Sequence, residues 1–209
     1  MAASSSQTQS SNKVHSLKRE VPDDHPAEVN HRQKCVIVFW PSQDIAYPYR
    51  PFSNEYEGTI PFLYVVPIGS KKCTRIQCEH AIKALSCTMA SMSGDEKTFC
   101  EIEKEVDVGK CLELGGGCTG FDKTVWDEKL YEVAEQVLWF KFRSDDNLVM
   151  LLLQTREAEI AYASSDPKWG IGISKDDPRL VTPSKWHGEN ILGKALVRVR
   201  ERLRRDSNN

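Results

Sequence analysis

An excess of charge of one sign is missing from this 209-residue chain: 28 Lys and Arg stand against 30 Asp and Glu, for a net charge of -2 and a pI near 6.2. That balance excludes a generally basic nucleic-acid coat, although a local basic patch does not show in such a sum. Long apolar runs are missing too, and none approaches the roughly 20 residues of a membrane-spanning helix. The Ser/Gln-rich N-terminus has no apolar core of a secretory signal. Metal-ligand spacing is the third absence. Seven cysteines (Cys35, Cys73, Cys78, Cys87, Cys100, Cys111, Cys118) form an odd set with no CxxC pair and no nearby paired histidine. They read as reduced thiols, so the expected setting is intracellular and cytoplasmic, with a size compatible with nuclear access.

Several catalytic signatures are absent as well. There is no G-x-x-x-x-G-K-[ST], no G-x-S-x-G and no H-E-x-x-H, which removes the commonest nucleotide hydrolase, esterase and zinc protease readings. Gly115, Gly117 and Gly120 do satisfy G-x-G-x-x-G, yet only the feeble Cys111–Leu114 run precedes them. No βαβ unit surrounds them, so they read as a flexible loop.

What is present suits one medium-sized core, with 40% hydrophobic and 28% charged residues. Residues 1–33 carry few large apolar side chains and are expected as a disordered tail. The globular domain is expected over 34–205, with 206–209 as a C-terminal tail. Strands are expected at Cys35–Trp40, Phe62–Val66 and Glu159–Ala163, from β-branched and aromatic runs ended by proline or polar residues. Helical spacing predicts helices at Ile76–Met92, Asp127–Phe142, Leu148–Gln154 and Asn190–Arg204. The last presents Leu192, Ala195, Leu196, Val199 and Leu203 inward. The acidic and glycine-rich stretch 93–121 reads as a variable connection.

The densest chemistry lies between Asp166 and Arg200, where D-P-K-W-G-I-G-I is followed by W-H-G-E-N-I-L-G-K-A-L. Glycines let backbone N–H groups approach an anion, Trp169 offers a flat wall, and Asn190 can pair with hydroxyls or amides. Glu79 and Lys83 stand four apart on the predicted Ile76 helix, with Ser86 on the same face. They read either as an exposed ion pair or as a carboxylate and amine able to move protons or capture a sugar aldehyde. Lys141 falls on the apolar stripe of its helix, which suits either a snorkelling side chain or a contact inside a cleft. Phe52-Ser53-Asn54 reads as a polar-aromatic turn.

Taken in order, Pro51-Phe52-Ser53-Asn54, Cys78-Glu79-His80, Lys141-Phe142, Leu151–Thr155, Asp166–Gly172 and Asn190–Leu196 resemble the NADAR, or YbiA-like, family over about residues 36–203. The resemblance implies a mainly helical α+β domain with a small sheet. It also implies cleavage of N-glycosidic bonds between a ribosyl phosphate or ADP-ribose and a base. Two activities belong to the family: removal of ADP-ribose from guanine in nucleic acid, and disposal of reactive ribosyl-pyrimidine intermediates of riboflavin synthesis. A non-catalytic module binding ADP-ribose or NAD is the third alternative.

Carried over, Glu79 is the anion or base and Asp166 orients the ribose. Trp169 and Phe52 sandwich sugar or base, and Ser53, Asn54, His80, Gly170 and Asn190 contact the ligand. Many members have a lysine seven residues after the glutamate, where this chain has Ser86. Lys83 is therefore the first candidate for a Schiff base and Lys141 the second. The chemistry calls for no cofactor and no metal. The expected partner is ADP-ribose or ADP-ribosylated guanine in DNA or RNA, with no membrane involved.

Overall fold

A computed structural model describes residues 35–42, 44–68 and 72–207. The described residues form one compact unit; the predicted N-terminal tail lies outside them. The strands are β1 (Val36–Phe39), β2 (Phe62–Ile68), β3 (Lys72–Cys78) and β4 (Glu159–Tyr162). The helices are α1 (Ala81–Ser93), α2 (Glu96–Lys104), α3 (Val108–Gly116), α4 (Lys123–Phe142), α5 (Asp146–Gln154) and α6 (Ile191–Ser207). β1 pairs in parallel with β4, and β2 pairs antiparallel with β3. This is a mainly helical α+β domain with little sheet.

At three places the structure departs from, or adds to, the expectations. Ile76–Cys78 does not begin a helix but ends β3, where Ile76 and Cys78 are buried while Arg75 and Gln77 face outward. That alternation has period 2, and the sequence reading took its apolar members into the helical stripe that follows. The stretch 93–121, read as a variable connection, holds α2 and α3. Its aspartates are helix N-caps: Asp95 accepts from the Thr98 amide and Asp107 from the Lys110 amide. The Thr98 and Thr119 amides hold the Asp95 carboxyl down to about 2. At the C-terminus α6 runs through Ser207, two residues into the expected tail.

α6 lies on α4 and on β4, burying Leu192, Ala195, Leu196 and Val199. Burial of each larger aliphatic side chain contributes about 1.5–3 kcal/mol. Gly193 allows the helix to touch the strand, since a Cβ there would lie 2.0 Å from the Ile160 carbonyl oxygen. Buried Arg200 ties α6 to the turn before β4 by donating to Thr155 Oγ1 and the Ala158 carbonyl, each at 2.8 Å.

Candidate active site

Two loops converge over α1. In the first, Pro51 fits the start of a 3-10 turn, Arg50–Phe52, because its fixed φ suits that position. The Phe52 ring is fully buried against Phe39, Tyr49 and Phe142. It anchors the turn and lines neither of the two cavities described below. The anchored turn presents Ser53, Asn54 and Glu55. Their backbone is held by Lys141 Nζ donating to Ser53 O at 2.6 Å and by the Ile82 amide donating to Asn54 O at 3.1 Å. The Glu55 amide donates to Ser53 Oγ at 3.2 Å.

The second loop follows β4. One oxygen of Asp166 accepts the amides of Lys168 and Trp169, both at 2.8 Å, and so fixes the bend that turns the Trp169 indole. Between the loops lies a cavity of about 400 Å3 lined by Asp166, Trp169, Trp126 and Tyr162. Ser53, Asn54 and Glu55 complete it on one side, and α1 contributes Ser86 and Met89. A second cavity of about 390 Å3 shares Ser53 and Glu55 with the first and adds Arg50, Tyr56 and Glu57. The Arg50 guanidinium stands over the Tyr56 ring at 5.2 Å.

Glu79 and Lys83 are together but do not line either cavity. Glu79 precedes α1 instead of lying on it, and its carboxylate accepts from Lys83 Nζ at 3.0 Å. Lys83 is 3% exposed and Glu79 29%. Ser86, in contrast, reaches the first cavity. It is pressed by Gly115 of α3, where a Cβ would lie 2.7 Å from Ser86 Oγ. Buried thiols also surround Lys83. Burial pushes Cys87 up to about 12 and Cys111 up to about 11, and Lys83 offsets only part of the rise. These thiols are protonated at neutral pH and poor nucleophiles.

His80 is fully buried. Its Nδ1 accepts the Lys83 amide and caps α1, so Nε2 carries the proton and donates to the Val106 carbonyl at 3.0 Å. Burial lowers its pKa. The imidazole braces the link between α2 and α3 and lines neither of the two cavities. Lys141 is buried with its ammonium 5.3 Å from the centre of the Tyr56 ring, and burial brings its pKa down to about 7.

Gly170 and Asn190 build the wall behind the cavity. Asn190 has φ 53° and closes the edge of β4: Oδ1 accepts the Tyr162 amide at 3.0 Å, and Nδ2 donates to the Ile160 carbonyl at 2.8 Å. Gly170 accepts the Asn190 amide and packs against Ser164, where a Cβ would lie 2.7 Å from the Ser164 Cβ. The glycines of this stretch allow close backbone packing.

Sequence reasoning did not single out Glu55, Trp126, Tyr162 or Arg50. Glu55 adjoins the Phe52–Asn54 turn and was visible as part of an acidic pair around Tyr56. Nothing in the local pattern marks Trp126 or Tyr162 as cavity residues. Among the described residues no three His, Cys, Asp or Glu side chains converge as metal ligands, and no helix is long and apolar enough to cross a membrane.

Fold and cleft together define a small α+β domain whose polar and aromatic cavity lies between two loops and a capped helix. The chain belongs to the NADAR domain family, whose profile matches residues 38–204. It is 33% identical over 113 residues to a protein of Acanthamoeba polyphaga mimivirus named N-glycosidase R617, a match covering 54% of this chain and 66% of that one. It is 32% identical over 117 residues to Protein irg-1 of Caenorhabditis elegans, covering 54% and 55%. The matches thus span less than two thirds of either relative's length. The NMR structure of the E. coli protein YbiA superposes with a TM-score of 0.63 at 22% identity, covering 85% of this chain and 89% of that one, a likeness of fold.

Proposed function

We propose that this chain is an N-glycosidase that hydrolyses the bond between a ribose and a base, and that its substrate is ADP-ribosylated guanine in nucleic acid. The observation that carries the reading is the gathering of Asp166, Trp126 and Trp169 around one cavity of about 400 Å3. A cavity of that size lies within the roughly 300–1,000 Å3 range of small-ligand sites. Indole faces suit a base or the apolar face of a sugar, and a carboxylate suits ribose hydroxyls. The mimivirus relative's name supports the reaction class.

Cleavage builds positive charge on the anomeric carbon and negative charge on the departing base. In this reading Asp166 orients the ribose, and Ser53 and Asn54 hold its hydroxyls. Arg50 is the cation in the lining of the second cavity and suits a phosphate. Glu79, which lines neither cavity, supports the site by pairing with buried Lys83 at 3.0 Å. Its carbonyl accepts the Gly58 amide, next in the chain to Glu57 of the second cavity's wall. An imine at Lys83 requires the amine to leave Glu79 and its buried position. Direct attack by water needs no such rearrangement and is the route adopted.

The test is base release from a guanine-ADP-ribosylated oligonucleotide, followed by mass spectrometry, with Glu79→Gln and Asp166→Asn alongside. Release by the wild type and loss in both variants is expected. Release from ribosyl-pyrimidine phosphates alone would replace the substrate. Tight binding of ADP-ribose with no turnover of either would replace the activity by binding.

A further inference from the structure

We propose that Glu55 is a further catalytic residue, the general base for the water that attacks the anomeric carbon. The proposal rests on the N-glycosidase reading above. Glu55 and Asp166 are the two carboxylates that line the first cavity, whereas Glu79 lines neither cavity. Glu55 also lines the second cavity, so it stands where the two meet.

Its backbone is pre-set. The Glu55 amide is tied to Ser53 Oγ, and the residues before it are tied to α4 through Lys141 and to α1 through Ile82. These ties fix the backbone from which the Glu55 side chain projects. The Tyr162 hydroxyl, pushed up to about 12 chiefly by burial, also feels the charge of both Glu55 and Asp166. Both carboxylates therefore lie near that hydroxyl, Glu55 on one loop and Asp166 on the other. The Glu55 side chain is exposed, so water reaches its carboxylate.

The step balances as follows. The bond from C1 of the ribose to the base nitrogen breaks, and its electron pair leaves with the base. The oxygen of water bonds to C1, its proton passes to Glu55, and that proton is returned to the departing base. No oxidant, reductant or further reactant is needed.

The test compares wild type, Glu55→Gln, Glu55→Asp and the exposed α4 control Glu128→Gln by steady-state kinetics across pH. Expected for Glu55→Gln is a fall in kcat of about 100-fold or more with little change in KM, and loss of the acid limb of the kcat profile. Glu55→Asp is expected to restore part of the rate and the acid limb. Wild-type kcat in Glu55→Gln, or a rise in KM alone, overturns the proposal. If the wild type releases no base from any ribosylated substrate, the N-glycosidase reading itself fails and the Glu55 role with it. Matching thermal melts of the variants exclude a folding defect as the source of a loss.

Discussion

Lys141 Nζ donates to the Ser53 carbonyl at 2.6 Å and so fastens the end of α4 to the turn that carries Asn54 and Glu55. The contact is local in space and distant in sequence, and it is made by a buried amine whose pKa burial lowers to about 7.

That shift has a sign for stability. Between about 7 and the ordinary value of 10.5, the unfolded chain holds a proton that the folded chain has lost. Stability therefore rises with pH in that window, by up to about 1.4 kcal/mol per unit, and is flat in this respect below it. Lys141→Met is expected to remove that slope, as read from melting temperatures between pH 7 and 10.

The Glu79–Lys83 pair predicts a lopsided cycle. Glu79→Gln leaves a lysine that is 3% exposed without its counter-charge and is expected to cost about 3 kcal/mol. Lys83→Met leaves a carboxylate that still reaches water and is expected to cost about 1 kcal/mol. The double variant is expected to be more stable than Glu79→Gln alone, measured by denaturant midpoints.

Reduction with borohydride during turnover separates the chemical routes. No covalent adduct at Lys83 or Lys141 is expected, because both amines are buried and engaged. An adduct at Lys83 found by peptide mass spectrometry would show that the pair with Glu79 opens and that an imine forms.

Gly193→Ala tests the seam between α6 and β4. The new methyl would meet the Ile160 carbonyl at 2.0 Å and the Asn190 amide at 2.6 Å. Helix propensity favours the change by about 1 kcal/mol, and the clash is expected to outweigh it for a net loss of about 3 kcal/mol. Urea unfolding measures the result.

Elements with an unbroken apolar period were legible in the sequence. α4 and α6 sit where Leu130, Val137, Leu196 and Val199 place them, and β1 follows its β-branched run. β3 was hidden because a half-buried strand next to a helix lends its apolar residues to the helix period. α2 and α3 were hidden because capping aspartates also look like loop composition. In the site, the motif residues were visible but their tasks were divided by packing. Asp166 and Trp169 face the cavity, whereas His80, Gly170 and Asn190 hold backbone in place. Composition carries no signal for that division, since an amide that pairs with a strand edge has the same chemistry as one that pairs with a hydroxyl.

Ser86 and Gly115 bear on how such a chain changes over time. A Cβ at Gly115 would lie 2.7 Å from Ser86 Oγ, so α3 rests on α1 at this point through a residue without a side chain. Substitution at either position is conditional on the other. A side chain at 115 would therefore reshape the cavity wall at Ser86 from a position that does not itself line the cavity.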